Sequence, residues 1–280
     1  MHFVDNMDNN GNRYNNKYDL IDIGVNLMHR SFNKDREELI QNAKKVGVSP
    51  LILTGTTERS SLQAKNYVSN FNGDLYSTAG VHPHNAKDCN EKTIDNLRKI
   101  AQSPFVVAIG ECGLDYNRDF SPRNKQKKWF EKQIQLAHEM DMPLFLHDRE
   151  SYDDFSVILE KYEGKIKNAV VHCFTGTKKE LKAYLDLGCY IGITGWVCDE
   201  RRGKNLAKMI NIIPEDKLMV ETDAPFLTPR DMNKKPRNNR NEPKYLPHIF
   251  EVIALNMGKD PKELSEIVYK NTLDFFEIKK

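Results

Sequence analysis

Histidine, glutamate and aspartate side chains lie at the ends of several short apolar runs. In chain order these runs end at His82 and His84, Glu111, His147, His172 and Asp223. Each run is about as long as one β-strand, and the segments between the runs have the character of helices. The carboxyl ends of parallel strands converge on one face of a (β/α)₈ barrel, so these distant side chains should form one cluster. Because imidazole and carboxylate groups hold catalytic divalent ions, the pattern predicts a hydrolytic metal site.

Four of these residues form the predicted set of metal ligands. The carboxylate of Glu111 can bridge two cations, since each oxygen can serve one metal. His147 and His172 end consecutive strands, and imidazole is the commonest nitrogen ligand of zinc and its neighbours. Asp223 can ligate an ion and also accept a proton from the attacking water. Taken singly, the glutamate could cap a helix, either histidine could be a hydrogen-bonded core residue, and Asp223 could form a turn before Pro225.

The remaining polar residues near these strand ends are assigned supporting roles. His82 and His84 could both chelate a metal, but we favour contact with a substrate phosphate or protonation of a leaving group, because the four ligands already suffice. Asp115 is expected to orient a ligand residue, with a simple turn as the alternative. Glu221 is expected to face away from Asp223 and to form a structural ion pair.

Four further residues are candidates for contact with substrate. The guanidinium of Arg149 suits a phosphodiester, although a salt bridge to a neighbouring acid is the alternative. Trp196 follows the seventh predicted strand and could stack on a base or be buried. Arg201 and Arg202 could contact backbone phosphates or form an exposed charged face. The basic segment 234–240 could bind a polyanion through counterion release, or be a solvated loop.

Eight strands that alternate with helices must position these side chains. The strands are predicted at residues 20–25, 50–54, 75–81, 105–110, 144–147, 169–172, 190–194 and 217–220. The helices are predicted at residues 34–46, 57–70, 91–102, 121–140, 152–162, 177–187, 204–212, 245–257 and 261–275. This count predicts a (β/α)₈ TIM barrel. A doubly wound open sheet would carry fewer strands and a glycine-rich phosphate turn, which residues 24–27 do not provide.

The composition is typical of a single globular domain. The chain has 280 residues, 39% of them hydrophobic, which suffices for one sizeable core. Residues 1–18 are rich in Asn and Asp and are predicted to be a disordered extension, with residues 19–280 as the barrel domain. No apolar run reaches the roughly 18 residues of a membrane span, and the N-terminus has no hydrophobic segment of the kind found in secretory signals.

Net charge and cysteine content indicate which partners and which cell compartment are compatible with the sequence. The net charge of +2 neither requires nor excludes a nucleic-acid partner, because a local basic patch can suffice. The five cysteines are irregularly spaced, which argues against a disulfide framework. Without a CxxC pair, the spacing also argues against a structural zinc site. A reducing compartment fits best, so we expect a cytoplasmic or nuclear protein.

These motifs resemble the TatD family of metal-dependent deoxyribonucleases. The resemblance covers residues 19–276, and its blocks are residues 22–27, 78–84, 109–115, 172–176, 192–196, 221–225 and 240–243. It implies a (β/α)₈ barrel of the amidohydrolase type that hydrolyses DNA, as a 3′→5′ exonuclease on single-stranded 3′ ends, in DNA degradation or repair. By motif, Glu111, His147, His172 and Asp223 fall on the family's metal ligands. The implied cofactor is Mg²⁺, with Mn²⁺ or Zn²⁺ as alternatives.

The first strand departs from the pattern of many family members. These members carry D-x-H-x-H there, with both histidines on a metal, whereas this chain has Asp22, Gly24 and Asn26. The chain in this respect resembles the TatD branch proper, which has the same Asp-Ile-Gly-Val-Asn run. Asn26 or water molecules would then complete the coordination of one ion, which suits Mg²⁺ because it retains waters readily.

Two other functions remain open from the sequence. The chain could be another metallohydrolase of the same barrel type that acts on an ester, amide or lactone. Alternatively, the missing histidines of strand one could indicate a catalytically weak scaffold that binds nucleic acid or a partner protein. Cleavage of labelled DNA with and without a chelator separates both alternatives from a nuclease.

Overall fold

The computed structural model describes residues 17–71, 73–234, 236 and 238–279, in which strands and helices alternate along the chain. The strands are β1 (Leu20–Val25), β2 (Val48–Leu53), β3 (Leu75–Ala79), β4 (Val106–Asp115), β5 (Leu144–Arg149), β6 (Ala169–Val171), β7 (Tyr190–Ile193) and β8 (Leu218–Val220). The α-helices are α1 (Arg36–Lys45), α2 (Glu58–Val68), α3 (Thr93–Ala101), α4 (Arg123–Glu139), α5 (Tyr152–Lys161), α6 (Lys178–Asp186), α7 (Lys204–Met209), α8 (Leu246–Met257) and α9 (Pro261–Phe276). Short 3₁₀ turns occupy several of the connections.

The strands form one parallel sheet in sequence order from β1 to β8. Beyond the end of β8, the chain meets β1 in a parallel bridge between Val25 and Ala224. Two backbone hydrogen bonds support this closure: Asp223 N–H donates to the Gly24 carbonyl at 2.9 Å, and Asn26 N–H donates to the Ala224 carbonyl at 2.8 Å. The arrangement confirms the predicted (β/α)₈ barrel, and it explains why residues from distant strands meet at one rim.

The barrel is filled by apolar side chains at its amino-terminal end. Ile21, Ile23, Phe145 and Met219 point into the interior and are almost completely buried. Helix α9 closes this end with Phe275, whose ring packs edge-on against Tyr190 at a centroid distance of 5.1 Å. A larger apolar layer separates the strands from the surrounding helices. Polar groups that point into the barrel are thereby concentrated at the opposite, carboxyl-terminal end.

Strand β4 is longer than predicted, and glycine explains the difference. The sequence analysis ended this strand at residue 110, whereas the structure continues it to Asp115. Gly110 and Gly113 adopt φ values of +144° and +146°, which are strained for other residues. A Cβ atom would lie 2.2 Å from the Phe145 carbonyl oxygen at Gly110 and 1.9 Å from the His147 carbonyl oxygen at Gly113. The close approach of β4 and β5 therefore places Glu111 and Asp115 on one strand.

The helix boundaries agree with the predicted ones to within a few residues, and side-chain caps account for several of them. Thr177 accepts a hydrogen bond from the Glu180 N–H and forms a capping box at the start of α6. At the predicted start of α4, Ser121 is instead a loop residue whose hydroxyl donates to the His84 carbonyl at 2.8 Å. Helix α4 accordingly begins two residues later, and the loop that precedes it is tied to the rim of the barrel.

The N-terminal boundary of the folded region differs from the predicted one. The predicted extension up to residue 16 lies outside the described residues. Tyr18 is buried, with its ring 5.3 Å from the ring of Phe250, and Lys17 pairs with Glu251 at 2.5 Å. The packed structure therefore includes residues 17 and 18. Among the described residues, no helix combines the length and apolar character that crossing a membrane requires.

Candidate functional site

Three imidazole rings surround one carboxylate oxygen at the carboxyl-terminal end of the barrel. Glu111 Oε1 lies 3.3 Å from His82 Nε2, 2.9 Å from His147 Nδ1 and 2.7 Å from His172 Nε2. His82, Glu111 and His172 are buried, and His147 is partly buried. The ends of β3 to β6 supply these four residues, as the strand order requires. The structure therefore brings three of the four predicted ligands together and adds His82 to them.

The donor set and its spacing fit a divalent cation. His82, Glu111 and His147 each offer one ligand atom, and these atoms lie within 4.8 Å of one another. Neighbouring ligands of an octahedral ion with bonds of about 2.1 Å are about 3.0 Å apart. The contacts of Glu111 Oε1 with the three rings, from 2.7 to 3.3 Å, bracket this value. His82, which the sequence analysis assigned to the substrate, is thus placed where it could ligate the ion.

The carboxylate of Asp115 contacts two of the histidine rings. Its Oδ2 atom lies 2.6 Å from His84 Nε2 and 3.4 Å from His147 Nε2. Burial alone would raise the pKa of Asp115, but its hydrogen bonds with His147 and His84 lower that pKa well below the usual range. Asp115 therefore contacts two of the site histidines, and its predicted role of orienting a ligand residue stays a prediction. His84 itself stays outside the tight group and remains partly exposed.

Glu221 belongs to the site, contrary to the sequence analysis. Its Oε2 atom lies 3.2 Å from His172 Nδ1, and its Oε1 atom accepts a hydrogen bond from the Cys173 N–H. The predicted outward orientation is wrong because Glu221 lies two residues after Met219, which points into the barrel, and residues two apart along a strand share a face. Glu221 is completely buried and orients the ring of His172.

Two glycines at strand ends make room for this carboxylate. A Cβ atom at Gly24 would lie 2.2 Å from Glu221 Oε2, and one at Gly192 would lie 2.7 Å from Glu221 Oε1. The glycine of the first strand is thus needed where many family members have a histidine. Paired glycines at the ends of β1 and β7 were the sequence signal that could have indicated an inward-pointing acid between them.

Asp223 and Asn26 form a pair on the β1 side of the site. Asn26 Nδ2 donates a hydrogen bond to Asp223 Oδ1 at 2.9 Å. Burial raises the pKa of Asp223 to about 7, against the opposing effect of the His172 ring. The charges of His172 and Glu111 affect the pKa of this carboxylate, but Asp223 is not one of the three residues whose ligand atoms lie within 4.8 Å of one another. The predicted ligands Asp223 and Asn26 are therefore neighbours of the cluster.

Asp22 has a structural role at the same edge. Its carboxylate accepts hydrogen bonds from the Thr222 N–H at 2.9 Å, from the Thr222 hydroxyl at 2.5 Å and from the Gly24 N–H at 3.3 Å. Burial raises the pKa of Asp22 to about 8. These bonds join β1 to the end of β8 and thereby hold Asp223 and Asn26 in place.

Trp196 lies between two arginines at the rim. The Arg149 guanidinium carbon is 5.1 Å from the centre of the indole, and that of Arg202 is 4.3 Å away. Arg149 also donates to the Thr175 hydroxyl at 3.0 Å. Arg201 and Arg202 both pair with the buried carboxylate of Asp199, at 3.4 and 3.0 Å. Three of the four predicted substrate residues are therefore stacked together, and Arg201 is joined to them through Asp199.

The basic segment after β8 contributes less to the rim than its composition indicated. Arg240 is bound to Asp35 at 2.6 Å and to Glu242 at 2.8 Å, so its charge is already compensated. Lys235 and Arg237 lie outside the described residues. One of the cations that the sequence offered for binding a polyanion is therefore already paired within the protein.

The sequence analysis missed two exposed aromatic rings near the site. Phe120, in the loop after β4, is 56% exposed, and its ring lies 4.8 Å from that of His84. Phe226, which follows β8, is 49% exposed and packs against His29 at 5.6 Å. Neither belongs to a periodic pattern or motif, so exposure in the folded chain was needed to detect them. Large exposed rings beside a polar pocket are suited to stacking on bases.

Comparison with known proteins places this geometry in a family. The model of the family described as TatD related DNase matches residues 21–277. The chain is 47% identical to the 3′-5′ ssDNA/RNA exonuclease TatD of Rahnella sp. (strain Y9602) over 259 residues. This alignment covers 92% of this chain and 98% of that protein. The corresponding protein of Salmonella typhimurium is 45% identical over 259 residues, 92% of this chain and 99% of its own length.

Solved structures give the same result. The TatD homologue YJJV of Escherichia coli superimposes with a TM-score of 0.85 at 25% identity and covers 93% of this chain and 98% of its own. A hydrolase of the TatD family from Entamoeba histolytica has a TM-score of 0.82 at 27% identity, over 92% of this chain and 98% of its own. On the family match and these relatives, the chain belongs to the family of TatD related DNases.

Proposed function

We propose that this protein is a metal-dependent 3′→5′ exonuclease that hydrolyses phosphodiester bonds in single-stranded DNA or RNA. The observation that carries the proposal is the convergence of three imidazole nitrogens on Glu111 Oε1, beside the stack of Arg149, Trp196 and Arg202. The first feature can hold an ion that activates water, and the second can hold a nucleotide. The relatives that are 47% and 45% identical are 3′-5′ ssDNA/RNA exonucleases by name, which supports the same substrate class and polarity.

Glu111, His147 and His172 would hold the ion, with His82, Asp223 and Asn26 on its open sides. A bound divalent ion lowers the pKa of water and neutralises charge on the phosphate. Asn26 occupies Oδ1 of Asp223, which leaves Oδ2 to accept the proton of the attacking water. Burial holds the pKa of Asp223 near 7, a value suited to a general base at neutral pH.

Mg²⁺ is the ion that we propose, in agreement with the expectation from the sequence. Asp223 and Asn26 would offer oxygen ligands to the ion, and Mg²⁺ keeps several waters where protein ligands are few. The three imidazole nitrogens around Glu111 are a donor set that Mn²⁺ and Zn²⁺ also accept. The ion that supports cleavage in a metal-depleted preparation decides between them.

His84 is the residue that we assign to the leaving group. Its ring is partly exposed toward the rim, and Asp115 holds Nε2 at 2.6 Å. A histidine oriented by a carboxylate can deliver a proton to the departing 3′ oxygen. His82 is less suited to this step, because its Nε2 atom faces Glu111 and burial lowers its pKa to about 4.

The rim residues would hold the 3′-terminal nucleotides. Arg149 and Arg202 lie over the Trp196 ring, so a base can stack on this cation–aromatic group while the guanidinium N–H groups contact adjacent phosphates. Phe120 extends this aromatic surface on the His84 side. Such contacts read the backbone and the faces of the bases, so we expect activity on single strands with little sequence preference.

The test is a cleavage assay on end-labelled single-stranded DNA and RNA. Metal-depleted protein should cleave after addition of Mg²⁺, Mn²⁺ or Zn²⁺ and should stop with EDTA. The products should shorten from a free 3′ end, and a 3′-blocked strand should resist. Glu111→Gln should reduce the rate at least about 100-fold, since even outer partners of a metal ligand contribute 10–100-fold.

The matched control is Glu266→Gln, which alters an exposed glutamate on α9 far from the site. It should retain the rate of the unaltered protein. Cleavage by Glu111→Gln at that same rate would refute the assignment of the site. Shortening from the 5′ end, or full activity in EDTA, would refute the polarity or the metal dependence respectively.

A further inference from the structure

A second cluster of possible metal ligands lies away from Glu111, among Cys198, Asp231 and His248. One ligand atom from each of these residues lies within 4.8 Å of the other two. Cys198 ends the 3₁₀ turn Gly195–Cys198 after β7, and His248 is in the first turn of α8. Asp231 is in the loop that joins β8 to α8. Three separate segments of the rim therefore meet at this point.

Asp231 is the centre of the cluster. Its Oδ1 atom lies 2.7 Å from His248 Nε2, and its carboxylate also faces the Cys198 thiol. Cys198 is only 3% exposed, whereas Asp231 and His248 reach solvent. An ion could therefore enter from the side of Asp231 and His248 and meet the thiol at the base.

We propose that Cys198, Asp231 and His248 bind one Zn²⁺ ion, separate from the ion at Glu111. Thiolate, imidazole and carboxylate together are a ligand set characteristic of zinc. Neighbouring ligands of tetrahedral zinc are about 3.3–3.6 Å apart, given bonds of about 2.0–2.3 Å. Atoms already within 4.8 Å need only small side-chain shifts to reach that spacing. Binding forms a zinc–sulfur bond and releases the thiol proton to solvent, and a water molecule completes the tetrahedron.

The proposed site is of a different kind from the one that the cysteine spacing argued against. The absence of a CxxC pair argued against a structural zinc site, whereas the three ligands proposed here are 33 and 17 residues apart in the chain. Only the fold brings them together. The ion would join the β7 and β8 loops to α8 across the rim.

The position of the site indicates its role. Cys198 is two residues from Trp196 and adjacent to Asp199, which pairs with Arg201 and Arg202. A zinc ion at Cys198 would therefore fix the loop that carries the stacking surface. This role in holding the substrate rests on the proposed function, whereas the binding of the ion does not.

The test uses Co²⁺ as a spectroscopic probe of the full-length, metal-depleted protein. A cobalt–thiolate bond produces a near-ultraviolet charge-transfer band, which the nitrogen and oxygen ligands around Glu111 do not produce. We expect the band in the unaltered protein and in Glu111→Gln, and we expect added Zn²⁺ to abolish it. Cys198→Ala should lose the band, and Cys189→Ala, which removes another buried thiol, should retain it.

A second variant tests the site independently, in case Cys198→Ala does not fold. His248→Ala changes a partly exposed side chain and should weaken Co²⁺ binding at this site at least about tenfold, because loss of a ligand costs at least as much as loss of an outer partner. Absence of the band from the unaltered protein at saturating Co²⁺ would overturn the proposal. Persistence of the band in folded Cys198→Ala, or its loss in Cys173→Ala, would also overturn it by assigning the thiol elsewhere.

Discussion

The two ends of the barrel are built from the same strands but filled with opposite chemistry. At the amino-terminal end, Phe275 of α9 closes an apolar interior around Met219. At the carboxyl-terminal end, Glu111 and the histidines around it form a polar cluster in which Asp115 and Glu221 contact two of the rings as well. The first arrangement stabilises the fold through dispersion and exclusion of water. The second arrangement gathers ionisable ligand groups whose protons a bound ion would displace, so the two ends should respond differently to substitution.

The largest change in stability is expected at the closed end. Phe275→Ala removes a buried ring and should lower the free energy of unfolding by about 3–5 kcal/mol. The rate of cleavage per folded molecule should be unchanged, because the ring is at the far end of the barrel. Denaturant titration followed by a cleavage assay under native conditions measures both. A strong loss of activity in the folded fraction would show that the two ends are coupled.

Glu221→Gln, at the carboxyl-terminal end of the barrel, should reduce metal binding or cleavage with little effect on stability. The glutamine keeps the shape of the side chain but no longer neutralises His172, whose pKa is raised by the charges of Glu111 and Glu221 in spite of its burial. We expect metal affinity or cleavage to fall about 10–100-fold. The free energy of unfolding should change much less than in Phe275→Ala. If Glu221→Gln and the unaltered protein bound metal with equal affinity, the role of Glu221 would be contradicted.

The pH dependence of metal binding provides a reversible test of the open end. Burial alone would lower the pKa of His147, but hydrogen bonds with Asp115 and Glu111 raise it from 6.5 to about 9. The metal-free protein therefore gains stability from the protonated ring below pH 6.5 and loses it as the pH rises through about 9. An ion must displace this proton, so affinity should rise about tenfold per pH unit below that value. Calorimetric titration across this range measures the slope, and a flat profile would contradict the prediction.

The smallest expected effect is at the rim. Trp196→Ala removes the stacking surface and should raise KM for single-stranded DNA about fivefold or more, since stacking on one base contributes at least about 1 kcal/mol. Metal affinity and kcat should change little, because the indole is not part of the ion site. Steady-state kinetics separates the two constants. The control Trp129→Phe alters the other tryptophan of the chain, on α4 outside the rim, and should leave KM unchanged.

Much of the fold and part of the site were predictable from the sequence. The order of strands and helices followed from apolar runs and cap residues such as Thr177, and the convergence of Glu111, His147 and His172 followed from the parallel barrel. Glu221 was assigned to the wrong face, although it lies two residues after the inward-pointing Met219 and alternation places both side chains on the same side. The exposure of Phe120 and the meeting of Cys198 with Asp231 depend on loops, for which no periodicity exists.

The sequence by itself determined which residue types stand at the strand ends and the order in which they occur, because local periodicity and chain connectivity are properties of the sequence. Only the tertiary structure decided which atoms face one another. His82 reaches Glu111 while His84 bonds to Asp115, a distinction of a few ångströms. Both histidines follow β3, which approaches β4 so closely that a Cβ atom at Gly80 would lie 2.4 Å from the backbone of Gly110, and such close approach is a property of packed backbones that no single segment encodes.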